Sequence, residues 1–108
     1  MSTNAQSKLN SVNDIINRAR EAMAAHGPLS RTAQGYIQEF FIMKEAEQIA
    51  NGKSQQSSLA RTVELAANST GIPKDAIAAF ADFAVAFYSG ALPPAYYEHF
   101  EKHGSIAV

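Results

Sequence analysis

His99 and His103 are the side chains of this sequence best spaced for chemistry. Four residues apart on a helix, two imidazoles stand on one face and can share a metal ion. Glu98 or Glu101 could add a carboxylate, but the H-E-x-x-H order of metalloproteases is absent. A histidine pair at the end of a helix also has a plainer role. When protonated, it interacts favourably with the negative end of the helix dipole. The plainer role is the expectation, with no metal and no cofactor.

Other reactive groups give less. The chain has no cysteine, which removes thiolate catalysis, disulfides and Cys-ligated zinc or iron–sulfur centres. Serine and threonine are plentiful, yet there is no G-x-S-x-G elbow and no glycine-rich phosphate loop. Glu39, Glu45, Glu47 and Glu64 fall on amphipathic patterns and read as solvated faces. The expectation is a protein without catalytic activity of its own.

The elements that position these residues are helical. Residues 1–10 are polar and unpatterned, and read as a flexible N-terminal segment. Ser11–Asp14 resembles a capping box and opens a run with Val12, Ile15, Ile16, Ala19, Ala22 and Met23 on one face. Gly27-Pro28 stops it. Ser30 or Thr32 can cap a second helix that runs to about Asn51, with Gly52 as terminator. Its middle, Tyr36, Ile37 and Phe40–Met43, is apolar around much of the circumference, so it must pack against at least two neighbours.

A third helix, capped by Ser57 or Ser58, carries Leu59, Val63, Ala66 and Ala67 and ends near Gly71. Pro73 suits the first turn of a fourth. That helix has apolar residues on two faces, and Asp75, Asp82 and Ser89 make only a thin polar stripe. It is expected to be central, with its alanines allowing close backbone approach. Pro93-Pro94 forces a turn before a fifth helix, Ala95 to about Lys102. No segment alternates with strand period. The fold class is therefore all-α, a compact bundle of four to five helices. The single helical domain spans 11–103, and 104–108 form a C-terminal tail.

Composition agrees. The 108 residues are 46% hydrophobic and include six Phe, four Tyr and no Trp, enough for one packed core. The abundant alanine favours helix. Ala76–Tyr88 is the longest apolar stretch, but it contains Asp82 and falls short of the ~20 residues that span a bilayer. The first ten residues lack the apolar core of a signal peptide. A soluble, cytoplasmic protein with no membrane contact is expected.

One segment suggests an activity class. Ala67, Gly71, Ile72, Ile77 and Phe80 have the spacing of a helix-turn-helix unit, so a corner of that kind is expected near residues 59–89. Ala67–Lys74 resembles the turn of winged-helix regulators of the IclR type, which implies DNA binding, with Arg61 and Lys74 as the cations to meet it. No strand pair for a wing follows. Outward positions of the second helix of the unit would be Lys74, Asp75, Ala78, Ala79 and Asp82, a poor set for reading bases or neutralising phosphates. The net charge is −1. Nucleic acid is thus an unfavoured partner, and a DNA-binding regulator is the second reading.

The first reading is a protein-interaction or regulatory protein that self-associates. Tyr36, Phe40 and Phe41, and the aromatics of the fourth helix, are expected in the core. Tyr96, Tyr97 and Phe100 differ, because two adjacent tyrosines on a short helix do not both face one core. An exposed Tyr–Phe patch there would make an interface for a protein partner or a second copy.

Overall fold

Thr32 sets where the second helix starts. Its backbone is extended, and its hydroxyl accepts a 3.0 Å hydrogen bond from the Gly35 N–H. The computed structural model describes residues 3–106, with side chains described from Ser11 onward. Five helices follow in order: α1 (Thr3–His26), α2 (Ala33–Ala50), α3 (Gln56–Thr70), α4 (Lys74–Tyr88) and α5 (Pro94–His103). A single 3₁₀ turn, Leu29–Arg31, joins α1 to α2. There is no strand among the described residues, and none of the helices is long and apolar enough to cross a membrane. The all-α expectation holds.

Some boundaries differ from those expected. The first helix begins at Thr3, so the Ser11–Asp14 box lies inside it, with Asp14 paired instead to Arg18 at 3.0 Å. Residues 1–10 were expected as a flexible N-terminal segment; residues 1–2 and the side chains of 3–10 lie outside the described set. Gln55 rather than Ser57 or Ser58 precedes α3, because Ser58 already donates its backbone N–H back to the Gln55 carbonyl. The corner between α3 and α4 forms as expected. Gly71 adopts a left-handed φ of 76° and donates to the Ala67 carbonyl, while the Thr70 hydroxyl accepts from the Ile72 N–H.

The fourth helix is the wall shared by two cores. One side, with Ile77, Phe80 and Ala81, packs with Leu29, Ile42, Leu59, Val63 and Ala66. The other, with Phe83, Ala86 and Phe87, packs with Ile16, Ala19 and Leu92. Thus α2 and α3 lie to one side of α4, and α1 with α5 to the other. Such a helix needs apolar residues on nearly every side, which explains its thin polar stripe.

Gly35 is required by proximity rather than by its φ. A methyl group there would overlap the Leu29 carbonyl oxygen, which lies against the start of α2. Gly35→Ala gains about 1 kcal/mol of helix propensity but forces backbone apart in a packed junction. The variant should therefore be less stable by about 2 kcal/mol in chemical denaturation.

Glu39 sits beside the same junction, half-buried. Burial pushes its carboxyl above the ordinary glutamate range, partly offset by hydrogen bonding from the Ser30 backbone and hydroxyl. A carboxyl raised on folding favours the folded state at low pH, and that contribution is lost as pH rises through its folded value. Glu39→Gln should flatten the stability profile just above the ordinary glutamate range, as read by denaturation at a series of pH values.

Candidate functional site

The fifth helix is held by its aromatic side chains. The Tyr97 hydroxyl donates to the Phe87 carbonyl at 2.7 Å and accepts from the Leu92 N–H at 3.3 Å. Its ring stacks on Phe87 with centroids 4.7 Å apart, and Phe100 packs on the same ring at 5.2 Å. Tyr96 meets Phe83 edge-on, and its hydroxyl accepts a bond from Arg20 on α1. The expectation of an exposed patch at Tyr96, Tyr97 and Phe100 is corrected: all three are half-buried against the second core. Both tyrosines face that core because adjacent helical positions differ by only 100°, and each long ring reaches back to it.

The α3–α4 corner carries Arg61 and Lys74, the cations expected to meet DNA in the second reading. Helix α4 is buried on two sides, with Lys74 and Asp75 exposed at its start. Lys74 and Asp82 both line a crevice of about 150 Å³ between α3 and α4, whose other walls include Leu59, Val63, Ala78 and Ala81. Arg61 is exposed on α3 and is not among the residues lining that crevice. The Arg18 guanidinium reaches Asp82 at 3.5 Å as well as Asp14. The corner therefore presents carboxylates beside its cations.

His99 and His103 do come together, with ring centroids 4.5 Å apart. No group of three or more His, Asp or Glu side chains is placed to hold a metal ion among the described residues.

The unusual surface lies on α2. Tyr36 is 63% exposed, Ile37 46%, Phe40 54% and Phe41 51%, and Leu65 of α3 is 57% exposed. Tyr36, Phe40 and Phe41 were expected in the core. They are outside it because Gly35, Ile42 and Ala46 form the buried face of α2, and the apolar residues at 36, 37, 40 and 41 project on the other side. The 3₁₀ turn, α3 and α4 all pack on the buried face, and no described element covers the other. Phe40 and Phe41 meet edge-to-face at 5.9 Å, and the Lys44 ammonium lies 5.6 Å from the Phe40 ring centre. Beside them a groove of about 430 Å³ runs between α2 and α3, lined by Phe41, Lys44, Gln48, Thr62 and Leu65 among others. Glu45 on its wall accepts a hydrogen bond from Ser54, which ties the following loop to α2.

Protein-family models, curated proteins and solved structures give no match to this chain. Its surface therefore has to be read from its own chemistry. Tyrosine and phenylalanine supply large contact area, and tyrosine adds a polar tip that tolerates water. Sequence reasoning passed over Leu65, which lies two residues past the buried Val63 and so on a different face of α3. A helical wheel of α2 separates two faces, and only the packing of α3, α4 and the 3₁₀ turn decides which of them is covered. Positions 35, 42 and 46 share one face, and 36, 37, 40 and 41 then fall across from it.

Proposed function

We propose that this chain is a small cytoplasmic interaction protein that self-associates through the outer face of α2 and has no catalytic chemistry of its own. One observation carries the reading: five large apolar side chains stand about half-exposed as a patch on α2 and α3. Aromatic side chains offer roughly 150–250 Å² each when fully exposed, so the patch amounts to about 500 Å² of apolar surface. That is at the upper end of what monomers leave uncovered, ~300–600 Å², and patches of that size are often functional. Self-association covers it without needing any other component. A net charge of −1 leaves two copies free of strong repulsion.

Light scattering coupled to gel filtration tests this. The mass should rise from 11.6 kDa towards twice that value as concentration increases through tens of micromolar. A mass that stays at 11.6 kDa throughout overturns the reading.

A further inference from the structure

We infer that two copies pair their α2 helices antiparallel, about a two-fold axis crossing α2 level with Gln38 and Glu39. The inference rests on the self-association just proposed and adds its geometry. The outer face of α2 differs along its length: Tyr36, Ile37, Phe40 and Phe41 occupy the first half, and Lys44, Glu47 and Gln48 the second.

A parallel pair would set Lys44 against Lys44 and Glu47 against Glu47, and like charges facing each other at an interface are strongly disfavoured. The antiparallel pair places apolar halves on each other. Tyr36 of one copy meets Phe40 of the second, and Ile37 meets Phe41 beside Leu65. Lys44 then lies over the uncharged Ala33 of the second copy. Glu47 comes near the N-terminal end of the opposing helix, where the macrodipole favours a carboxylate.

The area fits this occupant. A stable interface takes about 800 Å² from each partner, with an apolar centre and a polar rim. The patch supplies the centre, and Gln48 and Thr62 at the groove supply rim.

The absence of cysteine makes a clean test possible, since one introduced thiol carries one spin label per chain. Asn51 is exposed at the end of α2, twelve to thirteen residues from the proposed axis. At 1.5 Å rise per residue, labels on Asn51→Cys in an antiparallel pair should lie about 40 Å apart. A parallel pair would bring them to about 10–15 Å, close to the interaxial spacing of packed helices. A distance near 40 Å by pulsed dipolar spectroscopy is the expected result. A short distance in a sample of dimer mass overturns the orientation and leaves self-association standing. A monomer with no intermolecular distance overturns both.

Discussion

Replacing Phe40 and Phe41 together by alanine should weaken self-association by at least about 100-fold and leave the fold intact. Both rings are more than half exposed and belong to neither core, so their loss opens no cavity within the chain. At an interface the same rings would be the central anchors, and a loss of only ~0.7 kcal/mol at each of the four truncated rings of a pair already amounts to about 100-fold. Two-fold symmetry doubles every substitution, because each side chain contributes once from each copy. The dissociation constant from a sedimentation dilution series should rise accordingly, with the helical circular dichroism unchanged and the thermal midpoint nearly unchanged when both proteins are compared at concentrations where the wild type is monomeric. Equal association in the double variant would remove these residues from the interface. A large drop in midpoint under those monomeric conditions would show that they support the fold instead.

Phe83→Ala should do the opposite. Phe83 has no exposed surface, stands on the shared wall, and packs edge-on against Tyr96 at 5.6 Å. Deleting a buried phenyl ring typically costs 3–5 kcal/mol, as lost transfer energy plus the cavity left behind. Domains of this size hold only ~5–15 kcal/mol in total, so the variant should approach the edge of stability at room temperature. The expected result is a large fall in the urea midpoint with an unchanged slope. A change below ~1 kcal/mol would mean that the second core does not depend on this ring. The two variants separate the roles of aromatic residues that composition counts alike.

What could be read in the sequence was chiefly local. Thr32 as a cap, Gly71 as the left-handed end of α3 and Pro73 before α4 each act within a few residues, so their chemistry is visible without the fold. The central place of α4 was legible too, because a helix walled on two sides cannot carry a broad polar stripe. The α2 face was not. Its residues are as apolar as those of α4, and whether they are covered depends on where distant elements run. The α5 tyrosines failed for a related reason. The partners of Tyr97, the Phe87 carbonyl and the Leu92 N–H, are placed by the turn at the end of α4. Spacing within α5 carries no trace of them.

If copies meet through the outer face of α2 and not through α5, dilution will perturb one surface and leave the other untouched. Two-dimensional NMR spectra recorded across a dilution series test it residue by residue. Signals of Tyr36, Ile37, Phe40, Phe41 and Leu65 should move with concentration, while those of Tyr96, Tyr97 and Phe100 stay fixed. Spectra that do not change with concentration, or changes confined to α5, would contradict it.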